Sequence, residues 1–322
     1  MVQPSQARSL PSVSFRSCAQ AKAAGYSNMR AGEPGYSKNL DRDGDGVACE
    51  DASGDPAPAP APKPKPTTTA QPKPIVENPV SAGRIYSVAT NGTLQLATGT
   101  LGSGMKPQGQ KGTGWGGMSY LAQINSLVGD GNRDLLARRA YDNSLWLYAT
   151  TTSGGAQTYG KVGQNWGGMD QIVPTFNLGG GSTQYVVARR KSDGALFRYG
   201  LTPKGLTSAV QIGRNWNGMR QIVGVGDFNR DGRADVLGLR QDGQLWFYQG
   251  TTKATLGAGK KVGQGWNNFD LAFCPGDLSS DQRYDLVGRR NDGLLFGYEN
   301  RNGSWGVAKQ IMSGTNTYKL MA

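Results

Sequence analysis

The chain has 322 residues, 49 of them glycine, with 37% hydrophobic residues and a formal net charge of +12. That length and apolar content suit one large domain plus a small one and exclude a disordered chain. There is no histidine, which removes His-dependent triads, His–metal centres and imidazole acid–base chemistry.

Short β-rich segments between glycines favour an all-β, turn-dense architecture with helix a minor component. Two-carboxylate glycosidase chemistry survives the lack of histidine. No nucleophile–base set is recognisable, however, and the chain is not expected to be an enzyme.

In chain order, residues 1–14 are an N-terminal tail. The opening MVQPSQARSL lacks the apolar core of a signal peptide, and Met1 reads as a start added to a mature or trimmed chain. No stretch is long and apolar enough to span a membrane. Residues 15–51 form a small module in which Cys18 and Cys49 bracket a segment as a single disulfide would. That points to an oxidising, extracellular setting. Such a bridge closes a loop of roughly 30 residues and contributes about 3–4 kcal/mol by loop entropy, which matters where little core is available. Cys274 is left over and is expected to be a buried thiol.

Within the module, LDRDGDGVACE (40–50) sets three aspartates two residues apart. Alternate carboxylates converge on one point while glycine permits a sharp turn, a pattern suited to the six to eight oxygens that Ca2+ prefers. The candidate ligands are Asp41, Asp43, Asp45, the carbonyl of Val47 and Glu50. Residues 17–50, SCAQAKAAGYSNMRAGEPGYSKNLDRDGDGVACE, resemble the excalibur domain, a small extracellular module with the pattern DxDxDGxxCE. The resemblance implies Ca2+ binding at a cell surface, a Cys18–Cys49 disulfide and no catalysis.

Residues 52–79, ASGDPAPAPAPKPKPTTTAQPKPIVENP, alternate proline with small residues and lysine and read as an extended linker. Beyond it, residues 80–322 repeat. GWGGM, NWGGM, NWNGM and GWNNF put Trp115, Trp166, Trp216 and Trp266 at spacings of 51, 50 and 50. In phase run five turn pairs, Asn91-Gly92, Asp142-Asn143, Asp193-Gly194, Asp242-Gly243 and Asp292-Gly293, each read as a two-residue hairpin with positive φ.

A period near 50 with about four short strands per repeat predicts a five-bladed β-propeller. The region opens at GRIYSVATNG, matching the second strand of a repeat, and ends at TNTYKLMA, matching the first. The C-terminal strand is therefore expected to close the first blade and remove the open edges. Thr315 falls where a fifth tryptophan would.

GDFNRDGRADVLG offers a second Ca2+ loop, with Asp227, Asn229, Asp231, the carbonyl of Arg233 and Asp235 as ligands. This loop resembles the FG-GAP (VCBS) blade loop; the alternative is a capped turn. The equivalent loop at Asp277 is weaker, and the one at Asn177 has almost no ligands.

Region 80–322 holds +11 of the +12 charge. Arg138-Arg139, Arg189-Arg190, Arg240 and Arg289-Arg290 recur on equivalent strands. Adjacent strand residues face opposite ways, so one arginine of a pair is expected to meet an aspartate such as Asp134 or Asp285 and the other to face solvent. An anionic partner such as a teichoic acid, or nonspecific nucleic acid, would suit this charge.

Tryptophan beside glycine and asparagine is a sugar-site composition: rings stack on pyranose faces and amides bond hydroxyls. A tryptophan recurring once per blade is equally a packing wedge. The candidate ligand-binding residues are Trp115, Trp166, Trp216, Asn217, Trp266 and Asn267. Five blades and the GxxWxxM phrase resemble tachylectin-like propeller lectins, which implies N-acetyl-sugar sites at blade junctions.

The expected protein is secreted, bacterial and Ca2+-binding. Its propeller is expected to bind a glycan or cell-wall polymer multivalently, and the alternative is a protein or polyanion partner without lectin activity. Specific nucleic-acid binding is not expected.

Overall fold

The computed structural model describes residues 13–42, 44–50 and 83–322. The expected linker at 52–79, most of the tail and the ligand candidate Asp43 lie outside the described residues. The chain divides into two units, Met1–Thr69 and Ala70–Ala322.

In the first unit, Ser17 accepts from the Gln20 amide at 3.2 Å and caps a one-and-a-half-turn helix, Cys18–Ala23. Strands Met29–Arg30 and Val47–Ala48 pair antiparallel. A Cys18–Cys49 disulfide staples the helix to the end of the second strand. The core is small: Ala21, Met29, Leu40 and Ala48 are buried, with Phe15, Tyr26 and Tyr36 packed around them. A core of this size leaves the cross-link to restrict the unfolded chain.

The second unit is a ring of five antiparallel sheets, here blades I to V. Blade II runs outward through Met118–Ile124, Asp134–Arg139, Leu145–Thr150 and Ala156–Gly163. Blades III, IV and V repeat this order from inner strands Met169–Thr175, Met219–Gly224 and Phe269–Gly276. Blade I takes its inner strand, Tyr318–Met321, from the C-terminal end, and that strand pairs with Arg84–Ala89 through Tyr318–Ala89, Leu320–Val88 and Met321–Ser87. Period-2 alternation puts one apolar face of each blade against the next blade. Five buried clusters result, each shared by two neighbouring blades.

Every inner strand is entered through a short 3-10 turn: Trp115–Gly117, Trp166–Gly168, Trp216–Gly218, Trp266–Asn268 and Thr315–Thr317. The residue before each turn is left-handed: Gly114, Asn165, Asn215, Gly265 and Gly314, with φ between 60° and 87°. Only glycine and asparagine enter that region at little cost, which accounts for the recurring GW and NW. The amide that opens each turn then donates to the hairpin of the preceding blade, from Trp115 to the Gly92 carbonyl at 2.9 Å and likewise at the other four junctions.

The hairpins differ from the two-residue expectation. Of each turn pair only the second member has positive φ (Gly92, Asn143, Gly194, Gly243, Gly293). Ladder closure from Ala89 to Thr93, Arg240 to Gln244 and Arg290 to Leu294 leaves three-residue loops, while Arg139 to Ser144 and Arg190 to Ala195 leave four. The aspartate or asparagine side chain instead accepts from the amide two residues on, an Asx turn. Blades II and III thus carry one extra hairpin residue each, Tyr141 and Ser192.

Among the described residues no helix is long and apolar enough to cross a membrane. Inner strands line a central cavity of about 360 Å³. Phe176, which lines it, stacks on Tyr284 at 4.7 Å, with the Arg133 guanidinium 5.5 and 5.2 Å from the two ring centres. Cys274 lines the cavity outside any disulfide, half-buried rather than fully buried as expected.

Candidate functional site at the blade junctions

Hairpins and tryptophan turns share one face of the ring, because both sit where inner strands begin and second strands end. The four indoles are buried, at 4 to 8% exposure. Each lies against a tyrosine of the following blade: Trp115 on Tyr148 at 4.6 Å, Trp166 on Tyr199 at 4.9 Å, Trp216 on Tyr248 at 4.4 Å and Trp266 on Tyr298 at 5.0 Å. Burial raises the pKa of all four phenols, so they remain neutral hydroxyls.

The indoles are therefore wedges between blades, and their burial leaves no ring face for a pyranose to stack on. Trp115, Trp166, Trp216 and Trp266, expected as ligand-binding residues, thus present no exposed stacking face, and Trp115 forms one wall of a groove at its junction. Asn217 and Asn267 are exposed and lean over the preceding hairpin. A Cβ on Gly243 would sit 2.3 Å from Asn267 Oδ1, so a larger residue there would displace the asparagine.

Above the wedges lies a second layer. Arg139, Arg190, Arg240 and Arg290 stack over Trp146, Phe197, Trp246 and Phe296 at 3.6, 4.8, 5.7 and 5.2 Å. At the junction of blades I and II a groove of about 370 Å³ is lined by Gly114, Trp115, Met118, Arg139, Tyr141 and Tyr148, with Thr158 from the outer strand. Guanidinium donors, hydroxyls and aromatic edges around a groove of that size suit a small hydroxyl-rich ligand.

The fifth junction has none of these groups. Strand register puts Thr315, Ala89, Ala97 and Gln95 at the positions where the other four junctions have tryptophan, arginine, tyrosine and a second aromatic ring. The recurring arginines are visible in the chain but their stacking on the second ring is not, although the joint absence of both from one repeat is a readable signal.

The first arginine of each pair does something else. Arg138 Nη1 donates to the Trp166 and Met169 carbonyls at 3.2 and 2.6 Å. Arg189 reaches the Trp216 carbonyl at 2.8 Å and the Met219 carbonyl, and Arg289 reaches those of Thr315 and Tyr318 at 3.2 and 2.9 Å. Where blades IV and I lack this arginine, Arg220 donates to the Trp266 carbonyl and Lys319 to the Gly116 carbonyl, both at 2.7 Å. One cation thus clamps every junction.

Its acidic partners are Asp170 for Arg189 and Asp270 for Arg289, not the expected Asp134 and Asp285. Those two are fully buried and bound by amides: Asp134 accepts from Leu127 and Thr150, and Asp285 from Leu278, Ser279 and Asn300.

The expected Ca2+ loops can be read in the same terms. Asp227 accepts from the Asp231 and Gly232 amides at 2.9 and 2.8 Å, and Asp231 from the Arg233 amide at 3.0 Å. Asp231 also accepts from the Asn229 amide group at 2.9 Å, and Arg233 ion-pairs with it at 3.0 Å. Asp235 accepts from the Phe228, Asn229 and Gly250 amides. Burial, reinforced by Asp231 and Asp227, pushes Asp235 up to about 8 against the pull of those amides. This loop is folded as a capped turn.

In the N-terminal unit Asp41 accepts from Gly44 at 2.9 Å, Gly46 at 3.0 Å and the Tyr36 hydroxyl at 2.7 Å, while Asp45 accepts from Val47 at 2.9 Å. Among the described residues no group of three or more carboxylate or thiol side chains converges as a metal site would. The donor chemistry is nonetheless all oxygen, which fits Ca2+ and no thiophilic metal.

Fold and site together define a five-bladed propeller with a tryptophan–tyrosine–arginine set repeated at four junctions and a groove at the junction of blades I and II, in a chain that also carries a disulfide-closed module. Residues 15–50 match the Excalibur calcium-binding domain. No curated protein matches the chain.

Among solved structures, the chain is similar to the BP39L lectin from Burkholderia pseudomallei, at 15% identity and a TM-score of 0.45, over 71% of this chain and 66% of that one. The chain thus spans just under two thirds of that lectin's length. It is also similar to the SapL1 lectin in complex with alpha methyl fucoside, at 15% identity and a TM-score of 0.40, over 74% and 85%. A third likeness is AofleA from Arthrobotrys oligospora, at 12% and 0.39, over 72% and 71%. At these scores the likenesses fix no ligand for this chain.

Proposed function

We propose that the chain is a carbohydrate-binding protein whose propeller takes N-acetyl amino sugars, or a bacterial cell-wall glycan built from them, at its blade junctions. The observation that carries this reading is the junction groove of about 370 Å³, together with its tryptophan–tyrosine–arginine set, present at four junctions and wholly absent at the fifth. Several weak sites on one ring face would act together on a polymer through effective concentration. Trp115, Trp166, Trp216 and Trp266 shape the sites, Asn217 and Asn267 sit at their rims, and no catalysis is involved.

The Excalibur match at residues 15–50 supports Ca2+ in the small module, held by Asp41, Asp43, Asp45, the Val47 carbonyl and Glu50. Bound there, the ion supplies positive charge that holds the acidic loop closed. Asp227, Asn229, Asp231, the Arg233 carbonyl and Asp235 form a second candidate loop. The disulfide and the module type support a secreted or surface-bound protein, with residues 52–79 spacing module from propeller.

Retention of the intact protein on insoluble peptidoglycan and chitin tests the reading. Release by free N-acetylglucosamine is expected. A second reading rests on the outer strands, Gly104–Gly112, Ala156–Gly163, Val210–Gly213, Leu256–Gly263 and Lys309–Met312, which carry six lysines and no carboxylate. Such a rim suits a polyanion or an acidic protein. Retention released by salt and indifferent to sugar would favour it.

A further inference from the structure

The four equipped junctions are not equivalent, and the difference lies in what neutralises the stacked arginine. Arg190 pairs with Asp193 at 2.6 Å, Arg240 with Asp242 at 3.8 Å, and Arg290 is forked onto Asp292. In blade II the corresponding Asp142 turns to Ser144, accepting from its amide at 3.0 Å and its hydroxyl at 2.7 Å; these bonds chiefly hold its carboxyl below the usual range, and the charge of Arg139 adds to them without direct contact. Among the described residues Arg139 has no ion pair, and its side chain reaches the Tyr141 hydroxyl at 3.3 Å. It is held instead by the closest of the four stacks, 3.6 Å from the Trp146 centroid.

Stacking fixes a guanidinium plane while leaving its edge donors for a ligand. The same groove contains Tyr141, the extra hairpin residue, at 77% exposure. Here, in place of the buried indole, is a ring whose faces are open to a sugar.

We infer that the junction of blades I and II is a dedicated site for a sugar bearing a carboxylate, with Arg139 receiving the carboxylate as a fork and Tyr141 packing on the pyranose face. The inference rests on the carbohydrate-binding reading and gives that reading a substrate class at one site. Bidentate guanidinium–carboxylate pairing is the strong form of this contact. In the other three junctions an aspartate is bonded to the arginine (Arg190, Arg290) or lies 3.8 Å from it (Arg240) and supplies the negative charge, so those junctions take neutral sugars. The carboxylate could belong to a uronic acid or to the lactyl ether of a muramic acid; both present it to the same fork.

Calorimetric titration of the intact protein with N-acetylglucosamine, N-acetylmuramic acid and glucuronic acid separates these cases. One site per chain is expected to prefer an acidic sugar over the neutral one by about tenfold, and whichever acid is preferred identifies the source. Arg139→Gln should abolish that preference and leave neutral binding elsewhere intact, and Arg139→Lys should restore only part of it, since an ammonium lacks the fork. Tyr141→Ala, at an exposed hairpin position, should weaken the same site alone. Neutral binding without acid preference, or a preference that survives Arg139→Gln in a folded protein, overturns the inference while the function stands. No binding of any of the three sugars overturns both.

Discussion

Arg189 and Arg190 are neighbours in the chain with different surroundings. Arg189 is 7% exposed, forked onto Asp170 and bonded to two carbonyls of the next blade. Arg190 lies on the exposed face with Asp193. Replacing Arg189 by leucine leaves Asp170 and two turn carbonyls without their donor and should cost about 3 kcal/mol in urea unfolding. Arg190→Gln should stay within about 0.5 kcal/mol. Equal effects would mean that the clamp role is wrong.

Alternation along a strand made it legible that the two arginines differ. Which partner each takes was not legible. The clamp's acceptors are backbone carbonyls some 28 residues further on, and a carbonyl leaves no mark in a sequence. The expected pairing with Asp134 and Asp285 failed for a related reason: those carboxylates are saturated by amides of their own blades.

The tryptophan turn was largely readable as an element. Its left-handed entry residue must be glycine or asparagine, and the chain supplies one of them five times. Asn215→Gly should therefore be nearly neutral, whereas Asn215→Ala should cost about 1–2 kcal/mol in thermal or urea unfolding. Whether the indole faced solvent or core was not readable, since tryptophan beside glycine serves either purpose. Its contact with Tyr199 places Trp166 in the core, so Trp166→Ala should destabilise the protein by about 4 kcal/mol. Unchanged stability with lost sugar binding would return the ring to the surface. The hairpins were correctly located, but their length depends on Asx side-chain bonds that compete with the type I′ turn. That extra residue is what exposes Tyr141, so the most distinctive group of the site was hidden by a loop two residues longer than the expected turn.

At the scale of the whole molecule, blade number follows from the 50-residue period, and the pairing of Tyr318–Met321 with Arg84–Ala89 joins the ends of the repeat. Deleting residues 318–322 removes the inner strand of blade I and exposes a sheet edge. The shortened chain should lose cooperative unfolding or aggregate, and a native-like transition would show that the ring does not depend on this strand. Charge was legible in total but not in place: most acidic groups are taken up by turns and clamps, which leaves the outer strands lysine-rich.

The central claim is that junctions carrying tryptophan, tyrosine and arginine bind sugar and that the junction of blades V and I does not. Counting N-acetylglucosamine sites on the intact protein, by titration with the bound positions mapped by NMR, tests it most directly. The predicted result is sites at junctions II/III, III/IV and IV/V, a fourth at I/II from which N-acetylmuramic or glucuronic acid preferentially displaces the neutral sugar, and none beside Thr315. No site, or occupancy beside Thr315 equal to the rest, would contradict it.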